Sequence, residues 1–479
     1  MGDLHGRDYA PLPQTGNAAA SRGAAAHLGA RGGECVSAPG VYLANRGIRF
    51  QFTSRREMKK KLIATSGLAL CGAVLLAGCV QKQPETQTAA GNTLTVSSTA
   101  DACEVSAATA KSGNVTFAIT NDGPQTTEFY LLGADGLRIA AEKENIAPGA
   151  SAELTVSLQP GDYFTACKPG MRGANVGATP FSVTGEPVKV AGEDQELFDQ
   201  VVVDYINFVK NEVAELVPNV ESFAGAYAAG DDEAARTLYA DIRVNYERIE
   251  PVAEALGVLD PRIDYREVDY LAEAEQLEAD DPTFTEWLGF HRMEKDLWVP
   301  AADAINADGT SAWEGWQPST PEQRKVLAET LVTDVNALYE AVHDPKFIED
   351  QQINVSTVSN GASGLLEEIA VGKVTGEENW WSHYDLWDFQ ANLQGARIAF
   401  DLVAPIAERK GAEGTELVTQ INEEFDKLQS LLDQYGNLEA GYTLYDQVAS
   451  KQQKQLVAQI DATREPLSRL TGTVLSIDG

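Results

Sequence analysis

Histidine is scarce in this chain, with five among 479 residues, and the stretch from Val80 to Val190 has none. A two-histidine, one-cysteine blue-copper site therefore cannot be built in that stretch. Basic residues are also in short supply: 37 Lys and Arg stand against 71 Asp and Glu, giving a formal charge of −34. No Lys/Arg cluster follows the first sixty or so residues, which excludes a nucleic-acid partner, because neutralising phosphates needs such clusters. A well-solvated acidic surface or a cationic ligand fits that balance. The His-Glu-x-x-His pattern of the usual zinc peptidase is missing too.

What is present begins with a compartment signal. From Met58, "MKKKLIATSGLALCGAVLLAGC" has a basic start (Lys59, Lys60, Lys61), an apolar stretch too short for an ordinary membrane span, and then Leu76-Ala77-Gly78-Cys79. This pattern predicts a lipoprotein signal over 58–79, with Cys79 as the lipidated residue, and so an extracytoplasmic protein tethered to the membrane. Residues 1–57, rich in Gly, Ala and Arg and without a sustained period, read as a start codon placed too early or a disordered leader. Residues 80–91 read as a polar linker. With Cys35 and Cys71 in segments the mature chain lacks, Cys103 and Cys167 remain, and two cysteines in an oxidising compartment most simply pair.

Two bodies follow. Over 92–190, short segments such as "TLTVSS", "NVTFAITN", "TEFYLLG", "AELTVSL" and "DYFTACK" are punctuated by Pro-Gly and Asp-Gly corners, which predicts an antiparallel β-sandwich. Over 194–479 Pro and Gly thin out and a 3.6-residue period takes over. Val201, Tyr205, Phe208, Val209 and Val213 share one face, Asp231-Asp232 precedes another helix, and Ser319-Thr320-Pro321 starts a third. The expected fold is thus an all-β sandwich followed by an all-α domain of two packed bundles.

The chemistry concentrates in "EWLGFHRMEKDLW", residues 286–298. Read as a helix over 284–298, it puts Trp287, His291, Glu294 and Trp298 on one stripe, with His291 and Glu294 facing inward. A buried carboxylate needs a hydrogen-bonded partner, a cation or a metal. Imidazole and carboxylate three residues apart can reach one ion; equally, His291 can be a core histidine satisfied by Glu294. Asp334 lies on the apolar stripe of its helix and is a candidate third ligand. Glu247, with Tyr246 and Glu250, is a further candidate, and "WWSHYDLWDFQAN" offers His383, Asp385 and Asp388. An oxygen-rich set with one nitrogen suits iron, manganese or zinc over copper.

These stretches carry a resemblance. "GFHRMEKDLW", "RVNYERIEP", "KVTGEENWWSHYDLWDFQANLQGA" and "IDATREPLSRLT" resemble the imelysin-type helical domain, a family classed among peptidases, whose signature is His-x-x-Glu. "EFYLLGADGLRIAAEKENIAPGASAELTVSLQPGDYFTACKPGM" is similar to the cupredoxin-like domain of EfeO-type iron-uptake lipoproteins. The resemblance implies the iron-binding component of an EfeUOB-type system, taking Fe(III) or Fe(II) and passing it to an iron permease in the membrane, beside a haem-peroxidase-like partner. It implies His291 and Glu294 as metal ligands, with Asp334 at the acidic position of the next helix. In the sandwich, Cys103, Glu128, Cys167 and Met171 either form a copper or iron site or leave a Cys103–Cys167 disulfide.

Two other functions compete with iron carriage. A zinc metallopeptidase would use the His291/Glu294 pair, but it lacks a full ligand set and general base, so an enzyme is not the expectation. A polysaccharide- or partner-binding lipoprotein would use Trp313, Trp316, Trp380 and Trp381.

Overall fold

The computed structural model describes residues 92–134, 136–188, 193–274, 286–371 and 373–475. The expected leader, signal and linker (1–91) lie outside the described residues.

Nine strands make two facing sheets: β1 (Thr93–Ser98), β2 (Cys103–Val105), β3 (Thr109–Lys111), β4 (Gly113–Asn121), β5 (Thr127–Leu132), β6 (Ile139–Ile146), β7 (Ser151–Leu158), β8 (Gly161–Pro169) and β9 (Val176–Thr184). The strand orders are β2-β1-β4-β7 and β3-β9-β8-β5-β6. Alternation decides which residues meet between the sheets: Leu94 and Val96 of β1, and Leu154, Val156 and Leu158 of β7, are buried in step with the two-residue period. Phe117 anchors this core, its ring 5.0 Å from Phe129 and 5.7 Å from Phe181.

The sheets are mixed, which corrects the expected all-antiparallel pairing: β1 runs parallel to β4, and β3 parallel to β9. The chain leaves β1 through β2, crosses to the other sheet as β3, and returns as β4 alongside β1 in the same direction. At three residues each, β2 and β3 are too short to show a period in the sequence.

The helical body comprises α1 (Glu193–Ala229), α2 (Asp232–Glu247), α3 (Glu250–Glu254), α4 (Leu259–Asp264), α5 (Glu267–Ala274), α6 (Gly289–Leu297), α7 (Pro321–His343), α8 (Phe347–Asp350), α9 (Val355–Val371), α10 (Asp385–Glu408), α11 (Ala412–Leu432), α12 (Ser450–Leu467) and α13 (Leu470–Val474). A small hairpin, β10 (Gly436–Asn437) with β11 (Gly441–Tyr442), follows α11. Helix starts follow local chemistry. The Asp231 side chain accepts from the Ala234 amide, and Thr320 and Gln323 form a reciprocal capping box before Pro-started α7, each cap contributing about 1 kcal/mol.

One set of helices, α1, α2 and α7, packs together, and another gathers α9, α11 and α12. Helix α10 joins them, lying against α1, α2, α9 and α11 over one continuous apolar core. Gly395 makes that junction close: a Cβ there would sit 2.4 Å from the Arg248 carbonyl oxygen.

The helix carrying His291 is shorter than its period suggests, which corrects the 284–298 reading. It starts at Gly289, whose φ of +82° no helix continues through, so Trp287 precedes α6 and does not share its stripe. A Cβ on Gly289 would meet the Ile263 carbonyl oxygen at 2.2 Å. The glycine thus lets the start of α6 press against the end of α4, which sets His291 beside Asp264.

The sandwich is fastened to the helices along α9. Lys143 pairs with Glu367, the Tyr163 hydroxyl donates to Gln352 Oε1 at 2.7 Å, and Asn360 Nδ2 donates to the Thr155 carbonyl at 3.0 Å. Near the other end, Arg172 pairs with Glu377. Among the described residues, no helix is long and apolar enough to cross a membrane.

Candidate metal centre

Helices α2, α4 and α6 and the loop before α10 meet at His291. Its ring is 3% exposed. Nδ1 lies 3.2 Å from Glu294 Oε2, and Nε2 lies 3.2 Å from Asp264 Oδ1 and 3.4 Å from Glu378 Oε1. Glu294 is itself held: its Oε1 accepts from the Trp381 amide at 3.2 Å, the Ser382 amide at 2.8 Å and the Ser382 hydroxyl at 2.7 Å. A carboxylate so saturated orients the ring, holding it by Nδ1 and turning Nε2 toward Asp264 and Glu378. Nε2 has no hydrogen-bond partner. A histidine fixed through one nitrogen with the other free is how a metal-ligating imidazole is held.

Beneath this group lies a second. Glu247 of α2, Glu378 of the loop before α10 and Asp388 in the first turn of α10 bring carboxylate oxygens within 4.8 Å of one another, as do the ligand atoms of Asp264, His291 and Glu378. The Arg243 guanidinium, fully buried one helical turn before Glu247, reaches Asp264, Glu247, Glu378 and Asp388. Lys373 pairs with Glu247, Glu250 and Glu368. Asn392 Nδ2 donates to Glu247 Oε2 at 2.9 Å and Asn379 Nδ2 to Asp388, so the acids are aimed as well as gathered.

Acid predominates: Glu247, Glu250, Asp264, Glu368, Glu378 and Asp388 share Arg243, Lys373 and Arg266 as their cations. The titration of each group records that shortage. Burial, reinforced by neighbouring carboxylates, pushes Glu247 up to about 7 and Glu250 up to about 8. Burial likewise takes Asp388 to about 7, against the pull of Arg243. Glu378 goes the other way: burial raises it, but Lys373, His291, Arg266 and Arg243 together hold it well below the usual carboxylate range. For His291, burial and Arg243 push down while the Glu294 and Glu378 carboxylates push up, and the upward pull wins. Buried acids that hold protons only for want of a cation will give them up to a multivalent ion.

The chain matches the family described as imelysin (Peptidase_M75) over residues 202–470. The chain belongs to the imelysin family. The "iron uptake system component EfeO" of Escherichia coli strain K12 is 35% identical over 378 residues, 78% of this chain and 89% of that protein. The protein of the same name from Shigella flexneri matches over the same extent at the same identity. A solved imelysin-like protein from Psychrobacter arcticum 273-4 covers 58% of this chain and 94% of its own, with 11% identity and a TM-score of 0.38.

Within this imelysin domain, His291, Glu294 and Glu247 come together. Asp334 lies elsewhere, on the buried side of α7, where Arg262 Nη2 pairs with it at 3.0 Å; it belongs to none of the metal-competent groups among the described residues. Asp264, Glu378 and Arg243 were not singled out in the sequence. The readable signal was the Arg243/Glu247 pair, charged residues one turn apart beside the buried Tyr239 and Tyr246.

The sandwich candidates separate into two groups. Cys103 and Cys167 are joined in a disulfide within the sandwich core, with Cα atoms 5.4 Å apart. Glu128 and Met171 instead line a cavity of about 460 Å³ between sandwich and helices, which also reaches Asp264 and Glu378. Glu128 accepts from the Tyr130 hydroxyl, and burial raises its pKa.

Proposed function

We propose that this chain is the iron-binding component of an EfeUOB-type uptake system, extracytoplasmic and lipid-anchored through Cys79, which holds iron in its helical domain and delivers it to a membrane permease. The names of its relatives support a role in iron uptake. The observation that carries iron binding is the Nε2 of His291, buried, without a hydrogen bond, and facing the carboxylates of Asp264 and Glu378. In this reading His291, Asp264 and Glu378 are ligands, Glu247 and Asp388 supply further oxygens, and Glu294 positions the imidazole. One nitrogen among hard oxygens suits Fe(III), Fe(II) or Mn(II). The sandwich, cupredoxin-like in shape, has its two thiols closed in a disulfide and so contributes carboxylates toward the helices. Delivery would follow docking on the permease, with the haem-peroxidase-like partner acting on iron oxidation state.

Burial argues against the peptidase alternative. A zinc peptidase needs an open position that a peptide bond can reach, whereas His291, Glu378 and Glu247 are buried against the Arg243 guanidinium. The polysaccharide alternative loses its aromatics to internal duties. Trp316 is buried against Lys295, while Trp313 and Trp380 donate their indole N–H groups to the carbonyls of Ala301 and Ile305.

The test is calorimetric titration of Fe(III)-citrate, Fe(II), Zn(II) and Cu(II) into the full chain and into His291→Ala. Tight iron binding lost in the variant is expected; equal binding by both proteins would overturn the assignment of the centre.

A further inference from the structure

The His291 centre is buried, with His291 3% exposed and Glu378 6%, so an ion needs a way in. Two cavities touch it. One, of about 20 Å³, is lined by His291, Glu294 and Glu378 together with Trp287, Trp380 and Trp381. A space of that size holds a single water and passes no hydrated ion. The other, of about 460 Å³, runs between sandwich and helices and is lined by Asp264 and Glu378, the two carboxylates that face Nε2. Ten acidic side chains line it against four basic ones, so it favours cations.

Sandwich and helices are joined in two ways. Along α9 the seam is continuous: Lys143 pairs with Glu367, the Ser157 amide donates to the Ser356 hydroxyl at 3.0 Å, and Asn360 Nδ2 donates to the Thr155 carbonyl at 3.0 Å. At the larger cavity, Arg172 of the loop between β8 and β9 pairs with Glu377. At 33% and 22% exposed, these two side chains lie where the cavity meets solvent. Glu377 is the sequence neighbour of Glu378, and a few residues further on Trp381 and Ser382 are held by Glu294. Glu378 therefore sits on a loop pinned to the sandwich on one side and to α6 on the other. The opposite loop is also held in place: Met171, which lines the cavity beside Arg172, has a φ of +59°, a left-handed state unfavourable for a residue with a Cβ.

We infer that the cavity between sandwich and helices is the passage by which the ion reaches and leaves the His291 centre, and that the Arg172–Glu377 pair is the latch across it. The passage rests on the proposed function for its destination. It gives the sandwich a task that needs no metal site of its own, since the sandwich supplies one wall and half of the latch. Breaking the pair opens the passage and loosens the loop that carries Glu378 in one event, so entry and release share one barrier. A passage has a kinetic signature that a ligand lacks: a change in its barrier moves the association and dissociation rates together and leaves the affinity where it was.

Co(II), mixed rapidly with the full chain, is the probe: tryptophan fluorescence follows its binding, and excess EDTA draws out its release. Arg172→Gln and Glu377→Gln should each raise both rates about 5-fold, the scale of one partly exposed ion pair, with Kd held within ~2-fold. Leu137→Trp, which adds bulk on the wall of the larger cavity, should lower both rates alike. Ala307→Trp, on the smaller cavity, should move neither. Rates slowed by Ala307→Trp and untouched by Leu137→Trp would overturn the passage. A fall in affinity in Arg172→Gln and Glu377→Gln, without the paired change in rates, would overturn the latch. Equilibrium titration of His291→Ala separates this inference from the reading it rests on. Binding equal to wild type overturns the centre, and the passage to it falls as well; binding lost in His291→Ala, with rates that none of the four other variants changes, overturns the passage alone.

Discussion

Glu294 holds His291 by Nδ1 at 3.2 Å while its other oxygen is taken by the Trp381 and Ser382 amides and the Ser382 hydroxyl. The His-x-x-Glu spacing therefore works as an orienting device: Glu294 holds the ring by Nδ1 and turns Nε2 toward Asp264 and Glu378. Glu294→Gln tests this with almost no change in shape. With the glutamine carbonyl kept by the Ser382 donors, its amide nitrogen faces Nδ1 and drives the proton to Nε2, the nitrogen that must be free to ligate. Iron affinity should fall about 10- to 100-fold, the range for lost orienting partners, with melting temperature little changed. Loss of all binding, equal to that of His291→Ala, would instead make Glu294 a direct ligand.

The buried acids make an unusual pH dependence. Glu247 and Asp388 titrate at about 7 and Glu250 and Glu368 at about 8, all raised by burial above their ordinary values. A carboxyl whose pKa is higher folded than unfolded binds its proton more tightly in the fold. Its stabilisation is complete below the unfolded pKa and is lost as pH rises through the folded one. His291, also raised, acts in the same direction. Glu378 is lowered and acts oppositely, but only near and below the ordinary carboxylate range, outside this window. The metal-free protein should therefore melt at a higher temperature at pH 6 than at pH 8.5, and saturating Mn(II) should shrink or reverse that difference. A metal-free melting temperature that is flat or rises over this interval would contradict the electrostatics of the cluster.

Asp334 makes a control of opposite sign. Arg262 Nη2 lies 3.0 Å from its Oδ2 and Arg262 Nε donates to its Oδ1 at 3.1 Å, away from His291's partners Asp264, Glu378 and Glu294. Asp334→Asn should lower stability by roughly 1 kcal/mol through the weakened, partly exposed pair and leave iron affinity within ~2-fold, since no ligand moves. A large loss of affinity in calorimetry would put Asp334 back among the ligands.

How much of this was legible in the chain depended on range. Periodicity exposed the β-rich and helical parts, and Thr320-Pro321 marked the start of α7 because capping is local chemistry. His291 was readable because histidines are so few. Asp264 and Glu378 were not: each ends or follows a short helical piece with no period of its own; Asp264 reaches His291 because Gly289 lets α6 press on α4, and Glu378 reaches it from the loop before α10. Asp334 misled for the complementary reason. It sits on a buried stripe, but stripe position says that a carboxylate faces inward, not which partner awaits it, and Arg262 comes from a six-residue helix with no pattern to read. Residues 284–298 failed as a continuous helix at one backbone angle, a φ of +82° at Gly289 that no spacing records.

The disulfide decides what the sandwich can do with copper. Cys103 and Cys167 close a loop of 64 residues in chain separation, and cross-linking a loop of that size restricts the unfolded chain enough to stabilise the fold by about 4 kcal/mol in the chain-entropy account. Replacing both with serine should therefore lower the melting temperature of the sandwich clearly, while iron binding at His291, which shares no residue with it, stays within ~2-fold. With both sulfurs committed to each other, Cu(II) titrated into the oxidised protein should give no thiolate-to-copper absorption, because only a thiolate is a copper ligand of that kind. Such a band in unreduced protein would show that the thiols are free and overturn the disulfide. Its emergence only after reduction would show that the disulfide is what keeps the two sulfurs from copper.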